Sequence, residues 1–277
     1  MTRVALVQLT SSDDPEANLP VTLAAVERAV AEGAELVTTP EVTNCVSASR
    51  TRQREVLRPE PDDPTLDALR DAAARHGRWL LIGSLALKTD EPDGRFANRS
   101  FLLGPDGGIV ARYDKIHMFD VQVSETETYR ESAGFRPGDR AVLAHTPFGA
   151  VGMTVCYDVR FPHLYRRLAQ AGAGILTVPS AFSPVTGAAH WEPLLRARAI
   201  ECGAWVLAPA QTGTHVASRG RPRETHGHSL AVSPWGAVVA DAGAAPGVTL
   251  VEIDPTAVAE ARARVPSLTH DHDIAGP

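Results

Sequence analysis

Gly149-Ala-Val-Gly-Met-Thr-Val-Cys156-Tyr-Asp-Val-Arg-Phe-Pro162-His-Leu-Tyr-Arg-Arg-Leu-Ala-Gln-Ala171 is an apolar run, a short turn and a helical pattern in series. Residues 149–155 are too short and too apolar for a surface helix and read as a buried strand. Pro162 presets the first helical turn, and Gly172 closes the helix that follows. Another apolar run at 175–178 completes a strand–helix–strand unit, the signature of two parallel strands joined by a crossover.

The same unit recurs towards the amino terminus. Residues 3–9 read as a strand, and Asp14-Pro15 as an N-cap and first-turn pair. A helix runs on through Val21, Leu23, Val26 and Val30 to Gly33, and a strand at 35–39 is ended by Pro40. Helices are expected at 65–75, 189–202 and 256–264. Strands are expected at 79–84, 205–208 and 248–253, with hairpins at 98–113 and 229–240. Short apolar strands alternating with helices predict an α/β fold, and the hairpins predict mixed sheets. No linker divides the 277 residues, which are read as one domain, 1–277, with a mobile tail from about residue 267. Residues 43–64 and 116–140 lack periodicity and are long for loops, a length that often signals function.

Composition excludes several classes of activity. A net charge of −6 argues against a nucleic-acid partner, which would need a basic face. No apolar run reaches the roughly 18–20 residues of a membrane span, and the apolar start is too short for a signal peptide. Cys45, Cys156 and Cys202 are too few and too scattered for a disulfide framework, so reduced thiols and a cytoplasmic location are expected. His226-Gly-His228 and His270-Asp-His272-Asp lack further ligands at zinc-like spacing, and no glycine-rich phosphate loop follows the first strand. Neither a metal nor a cofactor is expected.

Three reactive groups each come first after the carboxyl end of a strand-like run: Glu41, Lys115 and Cys156. That edge is where ligands bind in open α/β sheets. Taken alone, each has an ordinary reading: a solvated loop carboxylate, a surface amine, a core thiol. Together they supply a base with a pKa raised by burial, a cation for an oxyanion, and a nucleophile on a sharp strand-to-helix turn. His117, His190 and His228 compete for the base role in a Cys–His pair. Of 27 basic residues only Lys88 and Lys115 are lysine, a bias that draws further notice to Lys115.

With those residues assembled, the chain resembles the nitrilase superfamily of carbon–nitrogen hydrolases. The matching stretches run in order along nearly the whole chain. They are Pro40-Glu41, Tyr113-Asp-Lys115-Ile-His-Met-Phe-Asp120, Glu131-Ser132, Cys156-Tyr-Asp-Val-Arg160-Phe-Pro162 and Pro179-Ser-Ala-Phe182, then Thr186-Gly187, His190-Trp-Glu192, residues 195–201, Gly227-His-Ser229 and Pro234-Trp-Gly236. The resemblance is strongest to the Nit branch. It implies a four-layer α-β-β-α sandwich, assembled as a homodimer or larger homo-oligomer. It implies Glu41 as base, Lys115 as oxyanion partner, Cys156 as nucleophile, Glu131 as their positioning carboxylate, and the Tyr157 N–H as a second oxyanion donor. The implied substrate is a small carboxylate-bearing amide, of the deaminated-glutathione type or the ω-amide of a keto acid. A nitrilase or another aliphatic or carbamoyl amidase on the same fold is the alternative, and a non-catalytic scaffold a more distant one. Phe182, Thr186 and His190 are expected near the pocket. Arg160, Arg196 and Arg198 are candidates for a substrate carboxylate, although Arg160 and Arg198 read more readily as structural ion pairs. Cys45, close after Glu41, is expected near the mouth and Cys202 in the core.

Overall fold

The computed structural model describes residues 1–123 and 128–276. Residues 124–127 of the long 116–140 segment, and the last residue of the tail, lie outside the described residues. In chain order the strands are β1 (Thr2–Gln8), β2 (Leu36–Thr38), β3 (Trp79–Leu87), β4 (Ala97–Leu103), β5 (Ile109–Asp114), β6 (Asp120–Gln122), β7 (Thr128–Arg130) and β8 (Val142–Thr146). They continue as β9 (Gly149–Met153), β10 (Ile175–Thr177), β11 (Trp205–Ala208), β12 (Thr212–His215), β13 (Arg223–His226), β14 (Leu230–Val232), β15 (Val238–Asp241) and β16 (Gly247–Ile253). The helices are α1 (Pro15–Ala31), α2 (Arg50–Val56), α3 (Pro64–His76), α4 (Pro162–Gln170), α5 (Pro184–Cys202) and α6 (Thr256–Arg264).

Two six-stranded sheets form, in the orders β16-β1-β2-β3-β4-β5 and β15-β14-β11-β10-β9-β8. Each has a parallel centre, β1-β2-β3 in one and β9-β10-β11 in the other, and antiparallel flanks. The period-2 alternation of the strands builds the layers. Val4, Leu6, Leu36, Leu81 and Leu102 point inwards and join Val151, Met153, Leu176 and Val206 of the second sheet in one core. Their neighbours Ala5, Val7, Val37, Leu80, Phe101 and Leu103 point outwards and pack with Val26, Ala29, Leu66 and Leu69 of α1 and α3. Trp191, Leu195 and Leu164, on α5 and α4, cover the other face of the second sheet. The result is the expected helix–sheet–sheet–helix sandwich.

The departures from expectation lie in polar segments. Helix α5 begins at Pro184 and not at residue 189, because Ser183 caps it by accepting from the Thr186 N–H. Residues 43–64 contain α2, capped by Ser49, and its Arg-Thr-Arg-Gln-Arg-Glu-Val sequence has no apolar period to announce it. The β12–β13 ribbon, Thr-Gly-Thr-His against Arg-Glu-Thr-His, is equally silent. At the carboxyl end Leu268 packs on the core and Arg166 of α4 bonds the Ser267 carbonyl and Asp271. Among the described residues no helix is long and apolar enough to cross a membrane.

Candidate active site

The two sheets bring their loops to a common edge. Glu41 follows β2, Lys115 follows β5, and Cys156 follows β9 in a short 3-10 turn, Cys156–Arg160. Cys156 has φ of +49° and Val42, next to Glu41, has φ of +47°. Both are strained positions for L side chains, of the kind concentrated at functional sites. Gly83 allows the close approach that places Glu41: a Cβ there would lie 2.0 Å from the Thr39 carbonyl and 2.5 Å from Pro179. Asp158, wholly buried, locks the turn. It accepts from the Val155 N–H at 2.9 Å, the Tyr113 hydroxyl at 2.6 Å and the His117 N–H at 3.0 Å. Tyr113 and His117 flank Lys115, so one carboxylate ties the lysine's segment to the cysteine's turn.

Lys115 is 2% exposed and its ammonium has three acceptors: Glu41 Oε1 at 2.9 Å and both Glu131 oxygens at 2.9 and 2.8 Å. Glu41, 4% exposed, accepts further hydrogen bonds from Asn98 Nδ2 at 2.9 Å and the Ala181 N–H at 2.8 Å, and interacts with the Cys156 thiol. Glu131 also accepts from the Phe119 N–H at 2.7 Å. The three expected groups and the fourth carboxylate therefore meet in one cluster.

The electrostatics correct one expectation. Burial pushes the Glu41 carboxyl up, but the Lys115 ammonium and the donors on it outweigh burial, so its pKa is lowered and not raised. Burial pulls Lys115 down, yet Glu131 and Glu41 hold it well above the usual lysine range. Burial and the facing Glu41 carboxylate push the Cys156 thiol up. The resting proton thus belongs to sulfur, beside an ionised carboxylate and an ammonium.

These groups form the floor of a cavity of about 680 Å³, a size usual for a small-molecule site. Tyr157, Phe182, Thr186 and Cys45 line it, as expected. Thr186 also bonds the capping Ser183 at 3.0 Å. His190 and Arg160 do not line it. They hold each other at 3.2 Å, with the Arg160 guanidinium over the Tyr157 and Phe182 rings. Arg160 has no carboxylate partner among the described residues, contrary to the structural ion pair expected of it. Arg198 does pair, with Glu201 at 2.6 Å, and Arg196 turns away to Glu192 and the Gly236 carbonyl. His117 bonds Asp158 and His228 bonds Asp241, so among the described residues no histidine lines the cavity as a rival base. Cys45, Cys156 and Cys202 are all free and buried. Among the described residues no group of three or more His, Cys, Asp or Glu could hold a metal.

Several residues here went unremarked in the sequence. Asn98 was legible in principle, as a polar side chain opening an apolar strand. The Ala181 N–H is a backbone donor that no pattern reveals. Arg50, Arg221 and Arg223 come to the cavity wall from polar segments remote from the motifs, and Arg130 from the position just before Glu131.

Comparison with known proteins identifies the family. The carbon-nitrogen hydrolase family model matches residues 3–263. A deaminated glutathione amidase of Yersinia enterocolitica is 40% identical over 98% of this chain and 93% of its own. The crystal structure of the Caenorhabditis elegans NitFhit protein superposes with a TM-score of 0.88 at 34% identity, over 98% of this chain and 65% of that one. Saccharomyces cerevisiae Nit3, described as a member of branch 10 of the nitrilase superfamily, gives a TM-score of 0.82 at 30% identity, over 96% of this chain and 94% of its own. The chain belongs to the carbon–nitrogen hydrolase family.

Proposed function

We propose that this enzyme hydrolyses a small carboxylate-bearing amide, of the deaminated-glutathione type or the ω-amide of a keto acid, through a thioester on Cys156. The observation that carries the reading is the Cys156 thiol sharing a cavity floor with a buried Glu41 that is paired with Lys115.

The chemistry follows from the resting charges. Glu41 takes the thiol proton as sulfur attacks the amide carbon, and the carbonyl electron pair moves to oxygen. Once Glu41 is neutral its hold on Lys115 weakens, and that ammonium hydrogen turns to the new oxyanion beside the Tyr157 N–H. The oxyanion collapses, the C–N bond breaks, and Glu41 gives its proton to the leaving nitrogen. A water that loses a proton to Glu41 then attacks the thioester. The C–S bond breaks, the carboxylic acid leaves and the thiol is restored. Glu131 holds Lys115 throughout. Within the motif that follows Cys156, Arg160 lies against the Phe182 ring that lines the cavity and is the candidate for a carboxylate on the acyl side, with His190 beside it.

Deaminated glutathione, α-ketoglutaramate, a simple aliphatic amide and a nitrile, each given to wild type and to Cys156→Ala, test this. Turnover of the first two by wild type only is the expected result. Equal rates from both proteins would end the Cys156 assignment, and preference for the aliphatic amide or the nitrile would move the substrate elsewhere in the family. The enzyme is further placed in the cytoplasm, where free buried thiols persist. It is taken as one domain that assembles with copies of itself. The exposed Ile200, Trp235, Val238 and Val239 support the assembly, and sedimentation measures it.

A further inference from the structure

The wall of the cavity differs in charge from both its floor and the rest of the chain. Above the floor its charged groups are four arginines, at 50, 130, 221 and 223, and one carboxylate, Glu224. The chain as a whole carries −6. Such a local reversal focuses field on anions entering the cleft.

The arginines are not equivalent. Arg50 spends its guanidinium on Gln53 and on the carbonyls of Arg130 and Glu131, and lies against Phe135. Arg130 and Arg221 are exposed. Arg223 is half-buried at the start of β13, and its guanidinium stands 5.7 Å from the Tyr129 ring centre. It has five N–H donors. One of them, on Nη2, meets the Ala181 carbonyl at 3.2 Å, and its Nε is buried without an acceptor. No carboxylate pairs with it among the described residues, whereas Arg52, Arg95, Arg99, Arg136, Arg166 and Arg198 each have one and Arg50 and Arg262 each bond two carbonyls. A half-buried guanidinium held by a single carbonyl is costly unless an anion completes it.

Its position is also specific. Ala181 offers its N–H to Glu41 and its carbonyl to Arg223, while the next residue, Phe182, carries Arg160 on its ring. Two guanidinium groups without carboxylate partners therefore bracket the dipeptide that supports the base.

Resting on the amidase reading above, we propose that Arg223 is the anchor for a second carboxylate, carried on the leaving-amine side of the substrate. The preferred substrate is then a dicarboxylate whose two acid groups straddle the scissile amide. Arg160 takes the acyl-side acid and Arg223 the distal one. Deaminated glutathione has this chemistry, its glycyl carboxylate lying beyond the amide that breaks. An ω-amide that releases only ammonia lacks the distal acid.

The test is the ratio of kcat/KM for deaminated glutathione to that for α-ketoglutaramate, in wild type and in Arg223→Gln. A drop of that ratio by about tenfold or more, carried mainly by KM, is the expected result, since a charge-assisted contact is worth about 1.5–3 kcal/mol. A second measurement needs no variant. In wild type, converting the glycyl carboxylate to its amide should cost the same factor, and Arg223→Gln should no longer sense that change. An unchanged ratio in the variant, or indifference of wild type to the blocked carboxylate, overturns the Arg223 assignment while leaving the amidase reading intact. Failure of wild type to turn over either compound overturns the substrate reading and this proposal with it.

Discussion

The floor and the wall of the cavity are built on opposite electrostatic plans. On the floor, Lys115 and Glu41 are almost fully buried, and every charge meets an opposite charge or several donors. On the wall the arginines are half-buried or exposed, and neither Arg50 nor Arg223 has a carboxylate salt-bridge partner among the described residues. A buried cluster of this kind is rigid, because any shift leaves a charge without a partner in a medium that cannot solvate it. The exposed guanidinium groups of the wall cost little to hold, while half-buried Arg223, held by one carbonyl, waits on the ligand. The floor therefore fixes the reaction and the wall selects what reacts. That division breaks if floor substitutions change only affinity, or if wall substitutions unfold the protein.

The largest effect is expected at the nucleophile. Cys156→Ala should cost about 10⁴-fold or more in kcat while leaving the melting temperature nearly unchanged, since one buried thiol is replaced by a methyl group. Residual turnover within tenfold of wild type would shift the chemistry away from the floor. Lys115→Met should come next, now as a loss of stability. It leaves Glu41 and Glu131 facing each other without their cation, and removing one member of a buried pair costs about 3–5 kcal/mol. Glu41→Gln keeps Lys115 paired with Glu131, so its cost in urea unfolding should be smaller, about 1–2 kcal/mol. If the two variants were equally stable, the cluster would not be the rigid element assigned to it.

The same division explains what the sequence reveals. Glu41, Lys115 and Cys156 are legible because each follows an apolar strand, and parallel strands in an α/β fold send their carboxyl ends to one edge. The layers are legible because Val4-Ala-Leu-Val7 and Leu80-Leu-Ile82 alternate between two cores, and that alternation is a local property. The wall is not legible. Arg50 lies on a helix without an apolar period, and Arg223 on a ribbon of Thr, Gly, His and Glu. Both take their places from tertiary contacts that leave no local pattern. The lowered pKa of Glu41 is hidden for a related reason. Burial, which the sequence suggests, acts one way, while direct contact with the Lys115 ammonium and the Asn98 amide, a tertiary arrangement without a local pattern, acts the other.

Support for the floor extends one layer deeper, and pH exposes it. Gln211 Nε2 bonds the Glu41 carbonyl and Ser11, and the Ser11 carbonyl accepts from buried His215, whose other ring nitrogen meets Thr225. Burial holds the His215 pKa at about 4, below the ordinary 6.5. Its folded form is neutral where the unfolded chain would bind a proton. Stability from this group is complete above pH 6.5 and is lost as pH falls towards 4. At about 1.4 kcal/mol per pH unit the loss amounts to about 3 kcal/mol. Unfolding free energies across that range should fall in wild type and fall less in His215→Gln. Parallel curves would detach His215 from the acid response. Activity has a separate limit: Glu41 must be ionised, so the acid limb of kcat/KM should lie below the ordinary 4.5 in protein that remains folded.

The smallest effect on the fold is expected at Arg160, which lies against the Tyr157 and Phe182 rings that line the cavity. Among the described residues its guanidinium holds His190 and two aromatic faces, so Arg160→Gln should change stability by about 0.5 kcal/mol or less. Its effect on binding should be larger: KM for α-ketoglutaramate should rise about tenfold with kcat nearly kept, as befits a group that binds ground state and transition state alike. The split between KM and kcat decides the matter. A fall in kcat with KM unchanged would make Arg160 part of the catalytic floor, and the boundary between the two regions would have to be redrawn around the Tyr157–Phe182 pair on which it rests.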